Sequence, residues 1–358
     1  MISLQISLAV LGGLVLAGVV AHGTWSARKN QPKRPTPEAA PDKPLTPAPG
    51  DIDVQAVADR LEPRFDADSG LGSLSSLSNM MAIEKKPGLD ALIDVIAPVL
   101  LESVVSGEAA LAAMPSTRRA GSKPFGIEGL SAATGTWEFP AAGQRYSAFQ
   151  CGVQLANRLG ALNQIEYSEF VMKAQAFADA IGGEPEFPEM HDEVARSKEL
   201  DQFASAHDAQ LSFTLRAVHT AWSPGYVQQS AARIGFVPGS IPGRMVLPAS
   251  QQGGAPILGL AFDTQAAMAE DPEQTALREI TLSLDVPQVL RSEQPFVRMR
   301  ESAIALAAKM DGVIIDDNGN AIPADAMDLI GSELEQLYDT LDGRDLSAGS
   351  VLARRLFS

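Results

Sequence analysis

An unbroken apolar run constrains the fold of this chain more than any other feature. Between Ile2 and Val20 no side chain is charged, and Trp25 and the basic Arg28 follow. About 20 apolar residues at ~1.5 Å each cross the ~30 Å hydrocarbon core of a bilayer as a helix, which satisfies its own backbone hydrogen bonds. We therefore expect a single transmembrane anchor over residues 1–27. The positive charge after the run predicts that the bulk of the chain is cytoplasmic.

A cleaved secretory signal is the alternative interpretation of this run. Such a signal carries its positive charge before the apolar region and a small-residue cleavage site after it. Here no basic residue precedes Ile2, and the basic residues follow the run. This charge asymmetry favours a retained anchor, whereas a signal peptide would place the folded part outside the cytoplasm.

Composition narrows the classes of partner. The net charge of −16 argues against nucleic acid and against a protein that lies flat on anionic lipid. The single cysteine, Cys151, excludes a disulfide framework and is consistent with a reducing compartment. Because the surrounding segment, Tyr146 to Leu155, is typical of a strand, we expect a buried thiol.

The rest of the chain divides into four parts. Residues 28–88 form a linker rich in Pro, Ser and Gly; its segment 31–50 holds seven prolines, which predicts an extended, semi-rigid spacer. An α/β domain over 89–199, a second domain over 200–342 and a C-terminal tail over 343–358 follow.

Helices and strands can be located by their periodicity. Ser168, Ser223 and Ser292 are candidate N-caps of amphipathic helices, and a further helix carries Met327 and Leu341. Gln210–Ala217 and Glu279–Val286 alternate apolar and polar residues, which indicates antiparallel strands with one buried face. Shorter strands are predicted at Arg244–Leu247, Ile257–Phe262 and Val313–Asp316. The fold class is therefore α+β.

The order of these elements suggests an internal repeat. Shifting the apolar helix positions Phe170 and Phe177 by 129 residues gives Met299 and Leu306. Leu92–Leu101 would then correspond to Gln210–Ala217, each followed by a short helix. The chain is either a duplicated α/β domain or one larger domain with an irregular first half.

No catalytic constellation is visible. The four histidines fall in different elements without the spacing of metal ligands. Asp316, Asn318 and Asn320 have the rhythm of a calcium loop, but Ala321 and Met327 occupy positions that need glycine and glutamate. We therefore expect no catalytic residue, no metal, no cofactor and no small-molecule substrate, and a non-enzymatic binding or scaffolding role.

The layout of anchor, proline-rich linker and α+β module resembles the ZipA family of bacterial cell-division proteins. The more specific likeness covers about 200–341. It comprises the strand Leu211–Ala217, the helix ending at Ile234-Gly235-Phe236, and the segment from Gly312 to Asp317 between two helices. The resemblance implies an antiparallel sheet with helices on one face. It also implies a non-catalytic tether in the bacterial inner membrane, with a periplasmic N-terminus, that binds the C-terminal tail of the division GTPase FtsZ at the division site.

In this family the tail binds the open face of the sheet. Carried onto this sequence, the expected partner-binding residues are Thr214, Arg216, Arg244, Val246, Thr281 and Ser283. The family groove is apolar, whereas most of these residues are polar. Either the buried and open faces are exchanged, or the groove here is more polar and basic. The linker is also shorter than in the family, and 89–199 has no counterpart in its better-known members.

Two other functions remain open on the sequence alone. One is an envelope scaffold with the same layout and a different partner. The other is a membrane-anchored enzyme without a local signature, which would show a deep pocket that gathers titratable residues with shifted pKa values.

Overall fold

The computed structural model describes residues 33–34, 88–251, 253–271, 274–316 and 318–358. The predicted anchor over 1–27 and nearly all of the linker over 28–88 lie outside these ranges. Within the ranges, none of the helices combines the length and the apolar character that crossing a bilayer requires. The described chain is α+β, as predicted, with antiparallel sheets and packed helices.

The first half contains a seven-stranded sheet, three helices, and a separate two-stranded pair formed by Ala156–Asn157 and Gly160–Ala161. The strands are β1 Asp94–Leu101, β2 Val105–Ser106, β3 Arg119–Ala120, β4 Lys123–Ser131, β5 Trp137–Glu138, β6 Arg145–Gln154, β7 Ala156–Asn157, β8 Gly160–Ala161 and β9 Gly183–Pro185. The helices are α1 Gly107–Ala112, α2 Gln164–Ile181 and α3 Met190–His207.

The second half forms the other sheet. Its strands are β10 Gln210–Ala217, β11 Val237–Pro238, β12 Arg244–Leu247, β13 Leu258–Ala261, β14 Glu279–Asp285 and β15 Gly312–Ile315. Its helices are α4 Pro224–Ala232, α5 Thr264–Ala267, α6 Pro295–Met310, α7 Ala324–Asp342 and α8 Val351–Leu356, with 3-10 turns at Val286–Gln288 and Arg291–Glu293. The predicted strands of this half are confirmed to within a residue or two.

The two sheets share one strand order. The first runs β3-β4-β6-β1-β9 and the second β12-β13-β14-β10-β15, with β11 added outside β12. In the first half the short helix α1 comes after β1, and the long helix α2 precedes the edge strand β9. In the second half α4 comes after β10 in the same way, and α6 precedes the edge strand β15. The correspondence of β1 with β10 and of β9 with β15 agrees with the repeat suggested by the sequence.

Two helix starts differ from the sequence prediction. α2 begins after Asn163, whose Oδ1 accepts hydrogen bonds from two backbone amides, and Glu166 bonds back to the Asn163 amide. This capping box satisfies free donors at the helix start, so Ser168 lies inside the helix instead of capping it. Likewise α6 begins at Pro295, because a 3-10 turn occupies the residues around Ser292. Ser223 does cap α4, as predicted.

Each sheet buries one face beneath its long helix. In the first half Phe149 lies 5.3 Å from Phe177 of α2, and in the second Phe213 lies 6.2 Å from Phe296 of α6, both between ring centroids. Cys151 is fully buried on β6, as expected, and burial raises the pKa of its thiol to about 12. The thiol is therefore protonated and unreactive at neutral pH.

The segment predicted as a C-terminal tail, 343–358, contains a helix that packs where the two halves meet. The carbonyl of Arg355 in α8 accepts a hydrogen bond from Gln154 of β6 at 2.8 Å, and the carbonyl of Phe357 accepts one from Gln288 at 2.7 Å. Leu356 and Phe357 are buried. Arg158 adds ion pairs of 2.7 Å to the second half. The two halves are thus joined by polar contacts around a small apolar core.

Candidate functional site

The six residues predicted to bind a partner lie on one open face of the second sheet. Their positions follow from the strand register, which aligns side chains in rows across the sheet. One row is Arg244, Ala261, Thr281 and Thr214; the next is Val246, Gly259, Ser283 and Ser212; Arg216 pairs with Glu279 in a third. Alternation along each strand puts these side chains on the same side of the sheet. We call this surface the second open face.

The sequence reading of buried and open faces holds for this sheet. Phe213 and Leu215 of β10, and Leu282 of β14, point to the helix side and are buried. Thr214 and Thr281 between them are partly exposed, and Arg216 is exposed. The buried and open faces are therefore not exchanged, and the open face of this sheet is mostly polar.

Small residues make the middle of the second open face shallow. Gly259 and Ala261 leave no bulk on β13, and a β-carbon at Gly259 would lie only 2.6 Å from Ser283 Oγ. The Ser283 hydroxyl, which fills the space over Gly259, is thus the group that an approaching peptide would meet at this point. Val246 provides apolar contact at one side of the depression.

Two arginines flank this depression, and they differ in their contacts. The Nε atom of Arg216 donates to Glu279 Oε1 at 2.7 Å, so its charge is partly compensated. Arg216 also lies against the turn at Gly319, where a β-carbon would come within 3.4 Å of its Nη1. Arg244 is exposed on β12 at the other side of the face. The two cations can attract an acidic segment laid across the strands between them.

The corresponding face of the first sheet carries more exposed apolar side chains, which sequence reasoning missed. Ile96, Pro98 and Leu100 of β1 project from it, and Leu100 is 61% exposed. Leu130 and Ala148 share a row on the neighbouring strands. The sequence of Asp94–Leu101 predicts a strand, but both of its faces carry apolar residues. The pattern therefore does not indicate which face is exposed. We call this surface the first open face.

Leu89 covers one end of the first open face. β-carbons at Gly126 and Gly152 would lie 3.4 Å and 2.5 Å from its side chain, and its amide donates to Glu128 Oε1 at 3.1 Å. The face therefore accepts an apolar side chain of this same chain at its glycine row. Glu128 and Gln150 form a polar pair in the middle of the face.

A groove of about 910 Å³ lies between α6 and α7. Its apolar walls come from Phe296, Ile304, Met327, Leu334 and Tyr338. Burial raises the pKa of Tyr338 to about 12, so this phenol stays protonated at neutral pH. The rim arginines are engaged: Arg291 pairs with Asp339 at 2.8 Å and Arg300 with Asp328 at 2.5 Å.

Candidate chemistry is sparse in the part of the chain that the structure describes. None of its His, Cys, Asp and Glu residues cluster in threes that could hold a metal ion. Asp316 instead closes a turn, since its Oδ1 accepts from the amides of Asn318 and Asn320 at 2.9 and 2.8 Å. These hydrogen bonds hold the pKa of Asp316 below its usual range, and the bond from the Asn320 amide has the largest effect.

The fold and its faces define a class: an α+β protein with two open-faced antiparallel sheets joined side by side. No protein-family model matches the sequence, and no curated protein is significantly similar to it. The resemblance to the ZipA family therefore stays a prediction drawn from the residues quoted above.

Proposed function

We propose that this protein is a non-catalytic tether that binds the C-terminal tail of FtsZ on the second open face and holds it at the bacterial inner membrane. The observation that supports this function most is the register of β12, β13, β14 and β10. It gathers all six residues expected from the resemblance on one surface that the helices leave uncovered.

The geometry suits a short peptide laid into a shallow groove, a recurring mode of recognition. Gly259 and Ala261 add no long side chain to the middle of the face, Val246 gives apolar contact, and Arg216 and Arg244 attract acidic side chains. A shallow, mostly polar surface gives weak single contacts. Many tails on one filament and many anchors in one membrane then combine through effective concentration.

The direct test is fluorescence anisotropy of a labelled C-terminal FtsZ peptide from the same organism against the full-length protein in detergent micelles. We expect saturable binding that a scrambled peptide of the same composition does not show. Equal binding of the two peptides, or of neither, would overturn the proposal. Variants of the second open face, considered below, then locate the contact.

The first open face favours a second candidate function, a membrane-anchored scaffold with another partner. Its exposed Leu100 and its neighbours Ile96 and Pro98 form an apolar surface, and Glu128 and Glu184 place negative charge beside it. A partner for this face would be an apolar segment with basic flanks, unlike the acidic peptide that suits the second open face. If the shared strand order reflects a duplicated domain, the two copies have diverged in the chemistry of their open faces.

A further inference from the structure

Lys33 is docked on the second half of the protein, although it follows the predicted anchor by only a few residues. Its backbone amide donates to Ala221 O at 2.7 Å, and its carbonyl accepts from the Ser223 amide at 2.9 Å. Together these bonds form a parallel bridge between Lys33 and Trp222. The chain immediately after the predicted membrane segment is therefore held by the module that carries the second open face.

The docking point is part of the rigid core. Trp222 is fully buried, and its indole Nε1 donates to Met310 O at 2.8 Å. The Lys33 ammonium donates to the same carbonyl at 2.8 Å and lies 3.7 Å from Asp311 Oδ2. Lys33 is thus bonded through both its backbone and its side chain.

This contact changes what the proline-rich linker does. Six residue steps separate the end of the predicted anchor at Ala27 from Lys33, and a fully extended chain covers at most about 3.5 Å per step, or ~21 Å in all. Nearly all of the linker's prolines lie between Lys33 and Gly88. They connect two parts of the same folded unit and do not separate the second half from the membrane.

Several basic residues belong to the segments that meet near Lys33, although the whole chain carries a net charge of −16. We call Lys33, Arg34, Arg233 and Lys309 the basic corner. The Tyr226 hydroxyl donates to Lys309 O at 3.2 Å, which joins α4 to the end of α6 here. Desolvation, and after it the charge of Arg233, lower the pKa of Lys309. Asp311, which also bonds His219, is the acidic residue beside them.

We propose that the second half of the protein rests against the bilayer, with the basic corner on anionic phospholipid headgroups. This inference depends on the membrane anchor in the proposed function. Basic residues beside a membrane span each add to the attraction of anionic lipid, which salt screens. Arg216, near the end of β10, is then the partner-binding residue closest to the membrane, because the next strand residue, Ala217, pairs with Gly312 beside Asp311.

Energy transfer to the membrane surface tests this arrangement. The full-length protein is placed in vesicles of phosphatidylcholine and phosphatidylglycerol that carry an acceptor dye on a lipid headgroup. Donor dyes are attached at Val218→Cys, next to the basic corner, and at Leu159→Cys in the first half; these residues are 51% and 74% exposed. The buried Cys151 does not compete for the label. We expect severalfold higher transfer from position 218 than from position 159.

Two variants distinguish the contribution of the Lys33 contact from that of the cations in the basic corner. Lys33→Pro removes the amide donor and the ammonium, and should lower transfer at position 218 to the level of position 159. Arg233→Glu with Lys309→Glu should lower it in anionic vesicles, with little change in vesicles of phosphatidylcholine alone. Equal transfer from both positions in protein that floats with the vesicles would overturn this inference and leave the anchor intact. Protein that does not float would contradict the anchor itself.

Discussion

The side chains of Arg355 and Asp94 meet where the two halves of the protein join, with Arg355 Nη2 only 2.5 Å from Asp94 Oδ1. Asp94 begins β1 and is 1% exposed, whereas Arg355 belongs to α8, 261 residues later. Arg355 also donates to Gly88 O at 2.9 Å. One guanidinium therefore fixes both the start of the first sheet and the last helix.

We expect Arg355→Met to destabilise the protein strongly. It would leave the buried Asp94 carboxylate without its cation, and breaking such a pair from one side costs about 3–5 kcal/mol. Urea unfolding followed by circular dichroism would measure the change. Asp94→Asn combined with Arg355→Met is the matched control, because it removes the uncompensated charge and should recover part of the loss. A single variant as stable as the parent would contradict the assignment.

The pair of Arg355 and Asp94 also predicts how the stability of the protein depends on pH. Burial, only partly offset by Arg355, raises the pKa of Asp94 above its ordinary value. The folded state then holds this proton more tightly than the unfolded chain, so the contribution of Asp94 to stability is fully present below its ordinary pKa and is lost as pH rises through the raised pKa. Without Arg355 the pKa rises further, and the defect of Arg355→Met should be smaller in acid than at neutral pH. A defect independent of pH would contradict this.

On the second open face, Arg244→Glu should weaken binding of the FtsZ peptide about tenfold or more, since reversing a charge replaces attraction by repulsion. Lys198→Glu is the matched control, because Lys198 is an exposed cation on α3 in the first half. Anisotropy titrations of both variants would measure the difference. Equal weakening by both would indicate that only net charge matters and that this face is not the site.

The first open face can be tested separately with Leu100→Glu. Leu100 is exposed, so we expect the free energy of unfolding to change by less than about 1 kcal/mol. Affinity for the FtsZ peptide should be unchanged if the second open face binds it. A large loss of affinity would instead assign the peptide to the apolar face. Thermal denaturation and the anisotropy assay together give both readouts.

Cys151 should resist alkylation in the native protein. Only the thiolate reacts readily, and burial raises the pKa of this thiol to about 12. Iodoacetamide at mildly alkaline pH should leave it unmodified until urea unfolds the chain, as intact mass measurement would show. Rapid labelling under native conditions would indicate that β6 opens locally.

Strand positions in the second half were predictable because one face of that sheet is open. Gln210–Ala217 alternates cleanly for this reason, and its faces follow from the alternation. In the first half β6 is buried on both sides near its end, where Leu89 covers Gly152, so the alternation disappears. The alignment of Arg244 with Thr281 across the sheet depends on the register between strands. Predicting where each strand lies in the sequence does not give that register.

The helix starts could also be predicted from the sequence only in part. Asn163 and Ser168 are both suitable N-caps, and only the Glu166 side chain, three residues after Asn163, distinguishes them. The groove between α6 and α7 has no sequence signal of its own. It depends on how closely Gly331 lets the two helices approach at Phe296.

The contact between Arg355 and Asp94 has a consequence for synthesis of the chain. The ribosome produces β1 long before α8, so the Asp94 carboxylate has no arginine partner while most of the protein is being translated. The first sheet can form early, but its junction with the second half closes only after residue 355 has emerged. Nascent chains that stop before this point would expose the junction to chaperones and proteases, which would favour degradation of incomplete products.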